Sequence, residues 1–260
     1  MEFVKILKER SGYLDNQINH AQEKANSMNK YIILLSIAGS LILFYGIVIY
    51  NLIIIIFSIV MLQAAWVMHK RSSKSIHAYR KGVSGEQNVV ELLKSLGDEF
   101  YLINDIVLQK PYGNIDHVVL GPNGIFVIET KNYKGTIVCN GDEWHRRYRG
   151  KYGPKDYPLA SPSKQAKRNA VQLRTFLINN IKAKNIDLKR LFVNGLLVFT
   201  EPDIDLNLNN PIVPTLKAEE LPYYIANFES NGKFSVVDLE SMANSILDAN
   251  AISINQKILL

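Results

Sequence analysis

The stretch IDHVVLGPNGIFVIETKNYKG, residues 115–135, decides the fold of this chain. It contains two apolar runs, Ile115–Leu120 and Ile125–Thr130, separated by a Gly-Pro-Asn-Gly sequence that is a strong turn signal. The pattern predicts a tight antiparallel hairpin in which the residues beside the turn face each other. Because both faces of the hairpin are apolar apart from its open end, we expect other parts of the chain to cover it on both sides.

Charged side chains lie at the open end of this predicted hairpin. Counting back from the turn places Asp116 opposite Glu129, and directly opposed side chains share one face with Cβ atoms about 4.5–5.5 Å apart. Lys131 lies two residues beyond Glu129 and therefore shares that face. Two close carboxylates repel each other unless a positive charge lies between them. The pattern therefore predicts either a divalent-cation site or a surface cluster in which Lys131 neutralises the acids.

The spacing of these residues resembles the PD-(D/E)XK nuclease superfamily. Asp116 followed by Glu129-Thr130-Lys131 looks like the core motif of that superfamily. The fuller string has Gly85-Glu86 upstream, Asn-Tyr-Lys-Gly directly after the motif lysine, and Gln165 downstream, and it resembles the nuclease-related domain, NERD. The resemblance covers residues 83–200 and implies an α/β domain with a restriction-endonuclease-like αβββαβ core.

The resemblance also implies a chemistry. Two acids and a backbone carbonyl would hold Mg²⁺ or Mn²⁺, a lysine would orient the attacking water, and the expected reaction is hydrolysis of nucleic-acid phosphodiesters, with DNA as the favoured substrate. The candidate catalytic residues are Asp116, Glu129, Lys131, Glu86 and Gln165, and the candidate metal ligands are Asp116, Glu129 and Thr130. Without the resemblance, Glu86 is simply an acid in the first turn of a helix and Gln165 belongs to a solvated helix face.

Composition favours anionic partners and excludes structures that need several cysteines. The chain has 260 residues, a net charge of +6 and a pI of about 9.2, as expected for a protein that contacts nucleic acid or an anionic membrane surface. The single cysteine, Cys139, excludes an intramolecular disulfide and a cysteine-rich zinc site.

Basic residues are dense in two places. Residues 144–154, WHRRYRGKYGP, alternate basic and aromatic side chains, as phosphate contact combined with base stacking requires, although a solvated hairpin explains the pattern equally well. A basic helix is predicted to begin at Ser161-Pro162, an N-cap followed by proline. The candidate nucleic-acid contacts are Arg146, Arg147, Arg149, Lys151, Lys164 and Arg168.

Residues 31–68 contain no charged side chain and exceed the length of one membrane span. Tyr50-Asn51 interrupts the run and favours two spans in a helical hairpin, with one tilted span or a re-entrant hairpin as alternatives. Lysine and arginine flank both outer ends, so the positive-inside rule predicts that both termini are cytoplasmic. The location implied is the cell membrane, with lipid as a further partner.

The predicted organisation has five parts. They are an amphipathic, cytoplasmic segment at 1–30, two transmembrane helices at 31–69, a basic linker at 70–83, the nuclease-like domain at 84–200 and a helical extension at 201–260. The domain is expected to begin with a helix capped by Ser84, Asp105 is interpreted as a polar edge residue, and residues 203–214 are expected to form a polar loop. Helices are predicted at 216–228 and 235–249, the second capped by Ser235 with Asp238.

Three functions fit these patterns. The first is a membrane-anchored, metal-dependent nuclease. The second is a non-catalytic nucleic-acid-binding module tethered to the membrane, for which salt-sensitive binding would persist in chelator. The third is a structural or regulatory membrane protein whose basic surface contacts anionic lipid, and which would bind liposomes but not oligonucleotides.

Overall fold

The computed structural model describes residues 4–8, 13–108, 114–150, 153–181, 191–230 and 233–258. The chain divides into two compact units, one formed by Gly12–Val83 and the other by Met1–Ser11 together with Ser84–Leu260. We call them the helical unit and the sheet unit. Lys151 lies outside the described residues, and so does the turn before Ile115 that the sequence Lys-Pro-Tyr-Gly at 110–113 predicts.

The helical unit is a hairpin of two helices. Helix α1 spans Tyr13–Val48 and helix α2 begins at Leu52. Between them Tyr50 has a left-handed backbone, with φ of 52°. The Asn51 carboxamide oxygen accepts hydrogen bonds from the backbone N–H groups of the second and third residues of α2, at 3.1 and 3.3 Å, and so caps that helix. The interruption predicted at Tyr50-Asn51 is confirmed.

Glycines let the two helices of the hairpin approach closely. A Cβ atom at Gly46 would lie 2.9 Å from the Ile54 side chain, and one at Gly39 would lie 3.2 Å from Leu62. Small residues at such contacts are typical of helix pairs in membranes. The segments Gln22–Val48 and Leu52–Arg71 are long and apolar enough to cross a membrane, and few of their side chains are buried within the protein.

Helix α2 differs from the prediction because it continues without a break to Leu93. The expected helix start at Ser84 is therefore wrong, and the linker predicted at 70–83 is helical. No proline interrupts this stretch, and the backbone N–H groups that Ser84 would have capped already have carbonyl partners in the preceding turn. A local capping signal has no effect where the helix is already propagating.

In the described part of the chain, ten strands form two sheets. The strands are β1 (Lys5–Lys8), β2 (Tyr101–Ile106), β3 (Ile115–Gly121), β4 (Gly124–Lys131), β5 (Thr136–Asn140), β6 (Glu143–Gly150), β7 (Gly153–Leu159), β8 (Val193–Phe199), β9 (Asp205–Asn209) and β10 (Thr215–Lys217). The larger sheet has the order β1-β2-β3-β4-β8-β10, and the smaller has the order β7-β6-β5-β9. In the β3–β4 hairpin Leu120 pairs with Ile125, so the predicted register is confirmed.

Helices cover both faces of the larger sheet. Helix α3 (Pro162–Asn180) and helix α5 (Val236–Ile258) pack on the face that carries Val118 and Val127. The end of α2 and helix α4 (Leu221–Ala226) pack on the face that carries Val119. With β4 and β8 parallel, the predicted αβββαβ core is confirmed, and β5, β6 and β7 are inserted between its third strand and its second helix.

The smaller sheet corrects one prediction. The expected polar loop at 203–214 contains β9, which pairs in parallel with β5. Its sequence, DLNLN, alternates polar and apolar residues, and the leucines are the less exposed ones. An edge strand with one solvated face can be this polar, so composition alone did not distinguish it from a loop.

Both ends of the chain also differ from expectation. The first half of the predicted amphipathic segment contains β1, which pairs in parallel with β2, and Val4 is buried in the core. The single helix expected at 216–228 is instead β10, a 3₁₀ turn at Ala218–Glu220 and α4. The capping box at Ser235 is confirmed, because its hydroxyl accepts from the Asp238 N–H and its own N–H donates to the Asp238 carboxylate.

Candidate active site

The β3–β4 ladder ends one residue before the predicted acids. The regular backbone pairing that starts at the turn ends with His117 opposite Ile128. Past this point the Thr130 N–H donates to Asp116 Oδ2 at 2.8 Å, so a side-chain carboxylate takes the place of a backbone acceptor. The open end of the hairpin therefore holds Asp116 beside the strand that carries Glu129 and Lys131.

Glu129 is buried and hydrogen-bonded through both carboxylate oxygens. Its side chain is 1% exposed. Lys131 Nζ donates to Oε1 at 2.5 Å, and Asn169 Nδ2 donates to Oε2 at 3.3 Å. Lys131 Nζ also donates to Gln165 Oε1 at 3.2 Å. Four residues from β4 and α3 thus form one hydrogen-bonded group, and Asn169 is a member that the sequence did not single out.

Small residues bring α3 close enough for these contacts. A Cβ atom at Gly195 in β8 would lie 2.9 Å from the Ala166 carbonyl oxygen and 3.3 Å from the Ala170 Cβ. The helix start is set by Ser161, whose hydroxyl accepts from the Lys164 N–H at 3.1 Å, with proline at the next position. Gln165 lies one turn before Asn169, and side chains four residues apart lie on the same face of a helix.

Burial perturbs the acids of this site. Loss of solvation raises the pKa of Asp116 to about 6, although the Thr130 N–H and Lys131 oppose the shift. Burial, and then the charge of Asp116, raise the pKa of Glu129 to about 8. Burial alone would lower the pKa of Lys131, but the attraction of Glu129 and Asp116 outweighs it and the net shift is upward. A single lysine does not fully compensate the buried Glu129 carboxylate and the half-buried Asp116 carboxylate, and this favours a further cation.

Asp105 is a residue of this region that sequence reasoning misjudged. The sequence favours a polar edge residue, but β2 is an inner strand of the larger sheet, and Asp105 is only 2% exposed. It lies across from Asp116 between two regular backbone pairs, it has a left-handed φ of 52°, and it accepts a hydrogen bond from Asn114 at 2.8 Å. Its charge contributes to the raised pKa of Asp116. Left-handed backbone at a non-glycine residue is concentrated at functional sites.

The glycine before Glu86 has a packing role at the same edge of the sheet. A Cβ atom at Gly85 would lie 2.6 Å from Thr200 Oγ1 and 3.1 Å from the Asn132 Cβ. Those two residues directly follow β8 and β4, so α2 approaches the strand ends at this point. Glu86 is half-buried beside this contact. The role of its carboxylate stays a prediction.

The donor set fits Mg²⁺. The N–H and C=O of a strand residue point to the same side, so the Thr130 carbonyl lies on the side of Asp116, to which its N–H donates. With Glu129 this makes a set of oxygen ligands, the type that Mg²⁺ takes. Among the described residues no group of three or more His, Cys, Asp or Glu forms a metal-binding cluster. Mg²⁺ does not require three such side chains, because it keeps several water ligands and also binds substrate phosphates.

The predicted nucleic-acid contacts differ from one another in the structure. Arg147 donates two hydrogen bonds of 2.8 Å to Asp156, and Lys164 Nζ lies 3.1 Å from an Asp142 oxygen. Arg168 is exposed on α3, and its charge lowers the pKa of Glu129, which ties it to the site. Two of these basic residues are thus already paired with acids, so fewer positive charges are available to nucleic acid than the sequence indicates.

The aromatic residue that opens the basic stretch belongs to the core. Trp144 is 2% exposed, and its Nε1 donates to Ser163 Oγ at 2.5 Å. It packs with Ile137 and Phe199 under the smaller sheet. A stacking role for Trp144 is therefore wrong, whereas Arg146 and Arg149 remain candidate contacts, and Lys151 is outside the described residues.

Part of the chain is similar to known proteins. Residues 81–200 match the family model described as the nuclease-related domain, NERD. An uncharacterised protein of Bacillus anthracis is 31% identical over 88 residues, which cover 32% of this chain and 41% of the relative. No solved structure matches the chain.

Proposed function

We propose that this chain, whose residues 81–200 match the family model of the nuclease-related domain, is a membrane-anchored, metal-dependent nuclease that hydrolyses phosphodiester bonds, with DNA as the favoured substrate. The observation that carries the proposal is the buried Glu129–Lys131 pair beside Asp116. Removing charges from water is costly, and such groups persist mainly where they serve a function.

The lysine has the properties of a fixed cation. An ammonium group has three N–H donors, and two of those of Lys131 go to Glu129 and Gln165. The third is left for an attacking water or a phosphate oxygen. Because the pKa of Lys131 is raised, it stays protonated and stabilises negative charge instead of accepting the proton of the water.

The remaining residues hold this group in place. Mg²⁺ bound to Asp116, Glu129 and the Thr130 carbonyl would supply a Lewis acid and a lowered pKa for the attacking water. Asn169 fixes the orientation of the Glu129 carboxylate, and Gln165 fixes the lysine. Both amides come from α3, so the packing of that helix determines the alignment of the site.

A specific observation also favours the non-catalytic tethering module. Both oxygens of Glu129 are already hydrogen-bonded within the protein, and the side chain is almost inaccessible. A metal ligand in this position must change its partners when the ion binds. A protein that never makes this change would still bind nucleic acid through Arg168 and Arg149.

One experiment separates these functions. The full-length protein in nanodiscs is incubated with single-stranded and double-stranded DNA and RNA, in Mg²⁺ or Mn²⁺ and in chelator. Cleavage that needs the metal and disappears in Lys131→Ala supports the nuclease. Salt-sensitive binding without cleavage under any condition supports the tethering module, and the absence of both overturns the proposal.

We infer further that the helical unit crosses the membrane twice and that the sheet unit is cytoplasmic. Strands β1 and β2 are neighbours in one sheet, and both candidate spans lie between them in the sequence. A chain that leaves a folded sheet and returns to it must cross the membrane an even number of times. This argues against one tilted span, and the basic residues at both outer ends favour the cytoplasmic side.

The topology is tested by cysteine labelling. Cysteines are placed at Asn51 and at each terminus in a Cys139→Ser background and are exposed to an impermeant thiol reagent in intact cells. We expect labelling at position 51 alone. Labelling at either terminus, with position 51 protected, contradicts the topology.

A further inference from the structure

Aromatic rings from the β6–β7 hairpin and from the segment after β4 surround one arginine, and we call this group the aromatic cluster. Its members are Tyr133, Arg146, Tyr148 and Tyr157. Tyr148 and Tyr157 are 49% and 52% exposed, and their rings meet edge to face with centroids 5.4 Å apart. Both therefore keep large ring surfaces accessible at one place.

Arg146 lies among these rings. Its guanidinium carbon is 5.1 Å from the centre of the Tyr133 ring and 6.0 Å from that of Tyr148, and it donates to the Tyr148 hydroxyl at 3.2 Å. Within the part of the chain that the structure describes, Arg146 pairs with no carboxylate, whereas the adjacent Arg147 pairs with Asp156. No acid therefore neutralises the positive charge of Arg146 in the described part of the chain. Its Nε is buried without a hydrogen-bond partner.

Strand alternation separates these two arginines. Arg146 and Tyr148 lie on the face of β6 that Trp144 anchors in the core, and Tyr157 pairs with Arg146 across the ladder. Arg147 lies on the opposite face with its acidic partner. A sequence that appears to mix basic and aromatic residues thus forms one cationic aromatic face and one ion-paired face.

The aromatic cluster is close to the candidate active site along the chain. Tyr133 follows Lys131 by two residues. The Tyr133 ring also packs on Phe199, with centroids 6.0 Å apart. The cluster therefore continues directly from the end of β4.

We propose that the aromatic cluster is a stacking surface for an unpaired nucleobase, so that the substrate is single-stranded or locally unpaired nucleic acid. The inference rests on the proposed function. Bases of a duplex are already stacked on each other, whereas those of a single strand offer free faces to tyrosine rings. Arg146 would contribute a stacked cation and contact the neighbouring phosphate.

The test compares a short single strand with an abasic strand of the same length, which keeps the phosphates but lacks the bases. Both are titrated in chelator, without turnover, against the full-length protein in zwitterionic nanodiscs. Wild type should bind the strand with bases about tenfold more tightly. The double variant Tyr148→Leu, Tyr157→Leu should lose this preference and still bind the abasic strand as wild type does.

Matched controls keep the result interpretable. Tyr223 in α4 is 75% exposed and lies outside the cluster, so Tyr223→Leu should retain the full preference. In a Trp66→Phe background, fluorescence of the buried Trp144 checks that the double variant is folded. Arg146→Met should reduce the logarithmic salt slope by about 0.7 for one phosphate on a single strand, and the tyrosine variant should leave the slope unchanged.

The outcomes distinguish this inference from the proposed nuclease. If wild type binds both strands equally, or if the folded tyrosine variant keeps the preference, the stacking surface is wrong even where metal-dependent cleavage is observed. If the preference is present and cleavage is absent, stacking stands and catalysis fails. Absence of any nucleic-acid binding overturns both.

Discussion

Two ion pairs of the sheet unit lie in different surroundings. Glu129 and Lys131 at the end of β4 are 1% and 19% exposed, whereas Arg147 and Asp156 in the β6–β7 hairpin are 42% and 37% exposed. Burial raises the pKa of Glu129 in spite of its lysine. The hydrogen bonds from Arg147 lower the pKa of Asp156, as in an ordinary ion pair in water.

The difference shows that the density of charged residues in a sequence is a poor guide to chemistry. The hairpin has many charges, but water and salt screen them, and such pairs contribute little. The end of β4 has few charges, but they are costly to remove from water and interact strongly. Function is therefore expected at the few buried charges at the end of β4 and not at the many exposed charges of the β6–β7 hairpin.

The largest effect is expected from the buried lysine. Lys131→Ala should reduce metal-dependent cleavage about a thousandfold, because it removes the fixed positive charge beside the reacting phosphate. Lys134 is 73% exposed and serves as the matched control, so Lys134→Ala should leave the rate within about twofold. Rates are measured with saturating Mg²⁺, and cleavage by Lys131→Ala at the wild-type rate would contradict the assignment.

The next effect is a pH dependence of stability. The folded pKa values of Asp116 and Glu129 are raised to about 6 and about 8, so the unfolded chain releases these protons first as pH rises. The metal-free unfolding free energy should therefore fall between pH about 4 and about 8. Asp116→Asn keeps an acceptor for the Thr130 N–H but loses the charge, and it should raise stability at pH 8 by about 1–2 kcal/mol.

Fluorescence provides the measurement. The chain has two tryptophans, so in a Trp66→Phe background Trp144 alone reports unfolding of the sheet unit. Mg²⁺ at one hundred times its Kd should add about 2.7 kcal/mol in wild type, with tighter binding at pH 8 than at pH 5. If both Asp116→Asn and Lys131→Ala destabilise the fold and Mg²⁺ does not stabilise the wild type, then Asp116, Glu129 and Lys131 form a structural salt-bridge cluster.

A smaller effect is expected in nucleic-acid binding. Arg149 is exposed, and Arg149→Ala should reduce the logarithmic salt slope by about 0.7–0.9. Arg147→Ala should reduce it less, because Asp156 already neutralises Arg147. Equal slopes for the two variants would show that the Arg147–Asp156 pair opens when nucleic acid binds.

The smallest effect concerns the stability of the exposed pair. Arg147→Ala or Asp156→Ala should change the unfolding midpoint of the sheet unit by about 2 °C or less, and 1 M salt should remove even that difference. The same Trp144 signal serves here. A large shift for either substitution would mean that an exposed ion pair stabilises this hairpin substantially.

Much of the core was predictable because its signals are local. Turn residues at 121–124 determine the register of β3 and β4, and Ser161-Pro162 determines where α3 begins. Strand β1 was not predictable, because its partner β2 lies more than 90 residues away in the sequence. Within Lys5–Lys8 nothing distinguishes an edge strand from one turn of amphipathic helix.

The sequence by itself determined the hairpin, the shared face of Asp116, Glu129 and Lys131, and the resemblance to a nuclease family, since turn chemistry and side-chain alternation act within about 20 residues. Only the tertiary structure decided which charges are removed from water. Asp105 is buried in β2, which is an inner strand of the larger sheet, and Glu129 is buried where Gly195 lets α3 approach. The solvation of a charge depends on the chain segments packed over it, and these come from distant parts of the sequence.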